Sequence, residues 1–264
     1  MFFHHKRIWI TGASSGLGEA MALALAAQQA HLILSSRNEN ALQKVANACS
    51  AAGAASVLVQ ALDLERYDAL EGIAQTVLQR VGKIDILINN GGISQRSLCW
   101  ETNLEVDKKI MDINYFGTIA LTKAVLPSML THQLGHVVVV SSVTGKVGWH
   151  QRSAYAASKH ALHGFFDSLR MELGNRPVLV TIVCPGYIRT QVSVNALRGD
   201  GAMHSSMDTH TERGMPPERA AYRILRAIEA GREEVWFGGR EVIGIYLKRF
   251  FPKYFSRIGK KSKP

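Results

Sequence analysis

Seven short apolar runs recur along the chain: RIWIT (7–11), HLILSS (31–36), SVLVQAL (56–62), IDILINN (84–90), HVVVVSS (136–142), VLVTIVCP (178–185) and EEVWFGG (233–239). They are rich in Val, Ile and Leu without strict alternation, the pattern of parallel strands buried on both faces. Helical spacing fills the gaps at 18–28, 39–52, 67–81, 104–130, 154–173 and 217–230. Strands alternating with helices predict βαβ units and an α/β, doubly wound parallel sheet of about seven strands. No repeat, linker or low-complexity stretch divides residues 1–264, so one domain is expected, and 264 residues suffice to bury a large core.

Composition narrows the class. At 47% hydrophobic and 20% charged residues, a disordered chain is excluded. Cys49, Cys99 and Cys184 form no CxxC pair, so neither a disulfide framework nor a zinc site is expected. His160 and His163 share a helical face, but no HExxH grouping accompanies them and no metal is expected. The N-terminus runs into an apolar strand without a signal-peptide pattern, and no stretch approaches the ~20 residues of a membrane span. The chain is therefore read as cytoplasmic. Its net charge of +10 is concentrated at one end, where residues 240–264 hold eight Lys/Arg against Glu241. The body is only mildly basic, and a nucleic-acid surface is a poor reading.

After the first run comes ITGASSGLGEAMALALA, in which Gly12, Gly16 and Gly18 permit a tight turn into a helix. Such a turn brings backbone N–H groups and a helix N-terminus to an anion, here a dinucleotide pyrophosphate. The spacing is G-x3-G-x-G rather than GxGxxG. A carboxylate closing the second strand would bind a ribose 2′-OH. That strand ends in Ser35-Ser36-Arg37 instead. A guanidinium suits phosphate, so NADP(H) is favoured over NAD(H), with a solvated surface arginine as the bland alternative. Asp63 suits either a helix cap or a contact to the adenine amino group.

In SAYAASKHALHGFFDSLRMEL (153–173), Tyr155 and Lys159 stand one helical turn apart with small residues between them. A phenol near its ordinary pKa of ~10 is a poor proton shuttle at neutral pH, and a nearby ammonium lowers it. The pair then suits general acid/base chemistry on a carbonyl or alcohol. Ser141 and Ser142 end a buried strand, on the side where ligands bind in open α/β sheets.

With these residues in view the chain resembles the short-chain dehydrogenases/reductases, a Rossmann-fold family. The match runs through Thr11-Gly12-Ala13-Ser14-Ser15-Gly16-Leu17-Gly18, Asp63, Asn89-Asn90-Gly91-Gly92, Asn114, Ser142, Tyr155-x3-Lys159 and Pro185-Gly186-x3-Thr190, over about residues 6–240. The resemblance implies Tyr155 as general acid/base, with Lys159 lowering its pKa and bonding the nicotinamide ribose. Ser142, thirteen residues before Tyr155, would orient the substrate oxygen, with Ser141 as its competitor. Asn114 would hold a water between Lys159 and solvent, or else a buried helix hydrogen bond. A cofactor site of Gly12, Ser14, Ser15, Gly16, Leu17, Gly18, Arg37, Asp63, Leu64, Asn90, Gly91, Gly92, Tyr155, Lys159, Pro185, Gly186, Ile188 and Thr190 follows. Thr190 would bond the carboxamide and Ile188 would lie on the nicotinamide ring. Gly91 departs from the family's usual alanine.

PGYIRTQVSVNAL and MDTHTERG resemble a branch of hydroxysteroid dehydrogenases and membrane-associated reductases. It implies NADPH-dependent reduction of a ketone or aldehyde on an apolar molecule. Alternatives are a 3-oxoacyl carrier-protein reductase and a non-catalytic nucleotide-binding module. A polar stretch at 190–215 is expected to be a substrate lid. The tail, 242–264, interleaves Tyr246, Leu247, Phe250, Phe251, Tyr254, Phe255 and Ile258 with cations. It suits either peripheral membrane contact or packing on the body, with Pro252 limiting any helix. The resemblance also implies a homodimer or homotetramer through helices 104–130 and 154–173, with Phe165, Phe166 and Leu169 either interface or core.

Overall fold

The computed structural model describes residues 1–261. Seven parallel strands, β1 (Arg7–Thr11), β2 (His31–Ser35), β3 (Ser56–Val59), β4 (Ile86–Asn89), β5 (Gly135–Val140), β6 (Val178–Pro185) and β7 (Glu234–Phe237), form one sheet in the order β3-β2-β1-β4-β5-β6-β7. The helices are α1 (Gly16–Ala26), α2 (Glu39–Ala51), α3 (Leu70–Val81), α4 (Leu104–Met111), α5 (Gly117–Thr131), α6 (Ser153–Leu173), α7 (Thr209–Glu212), α8 (Pro217–Glu229), α9 (Ile243–Phe250) and α10 (Pro252–Lys261).

Alternate strand residues feed two cores. Ile8, Ile10, Leu32, Leu34, Ile86 and Ile88 pack with Met21, Leu25, Leu42 and Ile224 of α1, α2 and α8. Trp9, Ile33, Leu87, Val137 and Val139 pack on the other face with Val77, Leu121, Val125, Leu162 and Phe166 of α3, α5 and α6. Both faces of each central strand are thus apolar, which is why the runs show no period of two. Phe166 and Leu169 are core residues; Phe165 is half-buried against Tyr115.

β1 is flanked by β2 on one side and β4 on the other. Here the winding direction reverses and a crevice opens beyond the carboxyl ends of the strands.

The expected helix 104–130 is continuous but not uniform. Asp112–Phe116 forms a π-helical turn between α4 and α5, an extra-residue insertion of the kind common at functional sites. Beyond it Gly117 lies so close to the Leu64 carbonyl that a Cβ would overlap it. The lid contains only α7, and is stitched by bridges Gln95↔Leu197, Leu197↔Met203 and Ile188↔Met215.

The tail is helical on both sides of the Phe251–Pro252 break, with Pro252 at the start of α10, where its missing N–H costs no hydrogen bond. It packs on the body: Ile245 is buried with Val143 and Val147, Phe255 meets Trp149, and His150 Nε2 lies 2.6 Å from the Gly259 carbonyl oxygen. The tail's last three positions, 262–264, lie outside the described residues.

Candidate active site

The loop from β1 into α1 carries Gly12 at φ +65° and Gly16 at φ +60°, conformations open to glycine without a Cβ clash. Space is short as well. A Cβ on Gly12 would stand 2.8 Å from Gly91 Cα, and one on Gly18 would overlap the Gly12 carbonyl. Thr11 Oγ1 accepts from the backbone N–H of Asn90 (3.0 Å) and Gly91 (2.9 Å), and Asn90 Nδ2 donates to the Thr11 carbonyl (3.0 Å). These bonds lock the loops after β1 and β4 together across the crevice. Ser15 makes no side-chain cap on α1, so the helix's leading N–H groups remain available to an anion.

A cleft of about 350 Å³ runs along this edge. Its wall includes Gly12, Ser14, Ser15, Gly16, Leu17, Arg37, Asp63, Leu64, Asn90, Gly91, Gly92, Tyr155, Lys159, Pro185, Gly186, Ile188 and Thr190. Gly18 is absent from the wall; it serves the close packing of α1 on the loop. Arg37 is exposed at the rim. Asp63 Oδ1 accepts from the Glu65 N–H at 3.0 Å, a local turn that leaves the carboxylate on the cleft wall.

Ser142 follows β5, and its Oγ accepts from the Thr144 N–H (3.1 Å) and hydroxyl (2.9 Å). Ser141 turns inward, its hydroxyl donating to the Lys159 carbonyl (3.2 Å) and lying 3.1 Å from His163 Nε2. Lys159 is buried, donates to the Val140 carbonyl at 2.9 Å, and has its Nζ 5.8 Å from the centre of the Tyr155 ring.

Burial lowers the Lys159 ammonium to about 8. Burial also raises the Tyr155 phenol above its ordinary value, opposed by the Ser142 hydroxyl, Arg96 and Arg152. The ammonium is engaged by a carbonyl and is itself weakened by burial. The guanidinium groups of Arg96 and Arg152, which the sequence reading did not single out, add charge that opposes the burial of the phenol.

Asn114 lies off the cleft wall, fully buried in the π turn. Its Oδ1 accepts from the Ile93 N–H (2.8 Å), and Nδ2 donates to the Ile93 carbonyl (2.9 Å) and Ser158 Oγ (3.0 Å). It braces the loop after β4 against α6, the buried hydrogen-bonding role offered as its alternative.

Three further residues position the site. Gln95, fully buried, caps α6 from outside: its Oε1 accepts from the N–H of Ala154 (2.8 Å) and of Tyr155 (3.4 Å). Its Nε2 donates to Thr102 Oγ1 (3.0 Å) and Ser153 Oγ (3.2 Å). Asp208, from the lid, receives Arg96 Nη2 (2.6 Å) and Nε (2.7 Å) and Arg152 Nη2 (3.1 Å) on one oxygen. Burial works against that carboxylate, and the two guanidinium groups outweigh it and hold its pKa below the usual range. Glu241 Oε1 accepts from the N–H of Tyr187 (3.1 Å) and Gly239 (2.9 Å), and a Cβ on Gly186 would overlap it. It fixes the loop after β6. In the sequence, Gln95 and Arg96 are only a polar pair separated by Ile93-Ser94 from the glycines after an apolar strand, and Glu241 is the lone acid among residues 240–264.

His160 and His163 part ways: His160 Nδ1 lies 2.8 Å from the Ala156 carbonyl oxygen, while the ring of His163 lies with Cys184 and Glu234, their potential ligand atoms within 4.8 Å of one another. That carboxylate is engaged by Lys146 at 2.8 Å and by the Trp236 indole N–H.

A second cavity of about 940 Å³ adjoins the first, walled by Val143, Val147, Trp149, Tyr187 and Met207 of the body and lid, and by Leu247, Phe255 and Ile258 of the tail. Ser142, Tyr155, Gly186, Ile188 and Val192 border both cavities.

Comparison with known proteins agrees with this architecture. Residues 6–200 match the family profile described as short chain dehydrogenase. The chain is 42% identical over 255 residues to Dehydrogenase/reductase SDR family member 7B of Xenopus laevis, covering 94% of this chain and 79% of that protein. A short chain dehydrogenase/reductase from Burkholderia phymatum, solved in complex with NAD, superimposes with a TM-score of 0.85 at 22% identity, over 100% of this chain and 99% of that one. A metagenomic short-chain oxidoreductase solved in complex with NADP superimposes with a TM-score of 0.74 at 26% identity, over 90% and 98%. By its sequence match and its fold, this chain belongs to the short-chain dehydrogenase/reductase family.

Proposed function

We propose that this protein is an NADP(H)-dependent oxidoreductase acting on a ketone, aldehyde or alcohol of an apolar small molecule, with Tyr155 as general acid/base. The observation that carries the reading is the junction of the two cavities. The narrow cleft has the glycine loop and helix terminus that a dinucleotide needs, and the wide cavity sets apolar walls of Val143, Trp149, Met207, Leu247 and Phe255 beside the charged Arg96, Arg152 and Asp208. Ser142 and Tyr155 border both.

The residues fit a nicotinamide dinucleotide, because the turn has no room for a Cβ at Gly12 and the helix terminus is uncapped. When bound, that group supplies or accepts the hydride. Gly12, Ser14, Ser15, Gly16 and Leu17 would hold its pyrophosphate, with Asp63 and Leu64 at the adenine end. Asn90, Gly91, Gly92, Pro185, Gly186, Ile188 and Thr190 would line the rest. Arg37, with no acid at the end of β2, supports a 2′-phosphate and hence NADP(H) over NAD(H).

Ser142 orients the substrate oxygen by hydrogen bonding, and Tyr155 passes its phenolic proton to that oxygen as the carbonyl is reduced. In the oxidative direction the Tyr155 phenolate takes the proton back from the alcohol. Arg96, Arg152 and Ser142 favour the phenolate, against burial. Lys159 stands beside the ring as a bound-ribose partner.

Purified protein with NADPH or NADH and a panel of apolar ketones and aldehydes tests this reading through loss of reduced-nicotinamide absorbance. Faster turnover with NADPH is expected. Arg37→Ala should weaken NADPH binding about ten- to a hundredfold while leaving NADH nearly unchanged, the loss of one charge-assisted contact. Equal losses for the two cofactors would remove Arg37 from the phosphate site.

A further inference from the structure

The tail has two faces with different chemistry. Inward, Leu247, Phe255 and Ile258 wall the wide cavity, and Ile245 is buried in the body. Outward, Phe250, Phe251 and Tyr254 keep 68%, 62% and 57% of their surface exposed, while Tyr246, half exposed, sets its ring edge-to-face on Trp236. None of the three outward rings lines either cavity. Among them stand Lys248, Arg249, Lys253 and Arg257, followed by Lys260 and Lys261, all exposed. Residues 242–261 contain no acidic side chain to neutralise them.

Exposed aromatics cost solvation unless something apolar receives them, and a local excess of cations calls for a negatively charged partner. Exposed aromatic rings interleaved with cations along two short helices meet both demands at the boundary between lipid headgroups and acyl chains. No helix among the described residues is long and apolar enough to cross a membrane, so contact would be at the surface.

We propose that the outward face of α9 and α10 docks on an anionic lipid surface. The inward face of the same two helices is a wall of the substrate cavity. Docking therefore brings that cavity's edge against the bilayer and lets a lipid-dissolved carbonyl compound reach Tyr155 without crossing bulk water. This delivery rests on the reductase reading above; the docking itself does not.

The test uses the full chain, because α9 and α10 are part of the cavity and removing them would open it. Cosedimentation is measured with vesicles of phosphatidylcholine alone, and of phosphatidylcholine with phosphatidylserine as a minority component. Binding is expected only to the phosphatidylserine vesicles and should weaken as salt is raised. Each cation contributes about fivefold in affinity at such a surface. Lys248→Glu/Lys253→Glu should therefore weaken binding by more than about tenfold, and Phe250→Ser/Phe251→Ser by at least about tenfold. Lys44→Glu/Lys108→Glu, charge reversals outside the tail, should change it by less than about twofold. NADPH binding, measured in parallel, shows that each variant is folded.

Absence of binding to either vesicle overturns the proposal, as does equal weakening by the tail and distant pairs. Self-association without vesicles, abolished by Phe250→Ser/Phe251→Ser, would assign the face to a second copy of the chain and overturn it too. Two substrates then separate docking from catalysis. The tail variants should turn over a water-soluble carbonyl compound at the unaltered rate, and a long-chain ketone dissolved in vesicles more slowly. Failure of every carbonyl with intact vesicle binding would strike the reductase reading alone.

Discussion

Tyr155 sits in a contest between burial and charge. Burial favours the neutral phenol; Ser142, Arg96 and Arg152 favour the phenolate. Asp208 partly cancels the two arginines because all three share one ion-pair cluster. Two substitutions should therefore move the phenol in opposite directions. Arg152→Gln removes a cation and should shift the pH dependence of alcohol oxidation upward by about half a unit to one unit. Asp208→Asn removes an anion and should shift it downward by a similar amount. A purely structural role for the cluster would lower the rate in both variants without moving the profiles apart. Tyr155, Lys159 and Ser142 were named in the sequence through the family resemblance, since a one-turn spacing and a pair of strand-end serines do not by themselves select them; the fold sets all three on one cleft wall. Arg96 and Asp208 were not legible there, since their 112-residue separation leaves no periodic trace and only the folded lid joins them.

At the scale of elements, the strands and most helices were legible because each buries a continuous apolar face. The π turn at Asp112–Phe116 was not, because its residues fit an uninterrupted helix equally well. What sets it apart is tertiary: Asn114 bonds to Ile93, and Gly117 lies against Leu64. Nor was the cap of α6 legible. Arg152, the residue at the cap position, makes no side-chain capping bond, and the acceptor comes from Gln95 on another loop. Gln95→Leu should cost on the order of 2 kcal/mol, for a lost cap and newly unsatisfied buried donors. Unfolding should then begin several degrees lower. The rate with saturating NADPH should fall more than NADPH affinity, since the helix start carries Tyr155 while the glycine loop is untouched. An unchanged melting temperature would show that the cap is dispensable.

The whole molecule joins a sheet-edge cleft to a cavity closed by lid and tail, and its acid stability follows from the interior. Burial lowers the pKa of His136 and of His163 to about 4 each. Both are neutral in the native state, while unfolded histidine takes its proton near pH ~6.5. Their contribution is complete above that value and is lost progressively as pH falls from there through 4. Denaturant midpoints should decline between pH 6.5 and 4, and His136→Gln should flatten the decline; a flat wild-type profile would contradict it. The tail's double role as cavity wall and exposed surface was beyond the sequence pattern, because aromatic and cationic residues alternate along it in the same way whichever face turns inward. The claim on which the rest depends is that Tyr155 moves the proton. The direct measurement is steady-state NADPH oxidation by Tyr155→Phe beside the unaltered protein, on any carbonyl compound the latter reduces. A rate loss of about a hundredfold or more with NADPH affinity retained is the predicted result, and a variant as fast as the parent would contradict the mechanism.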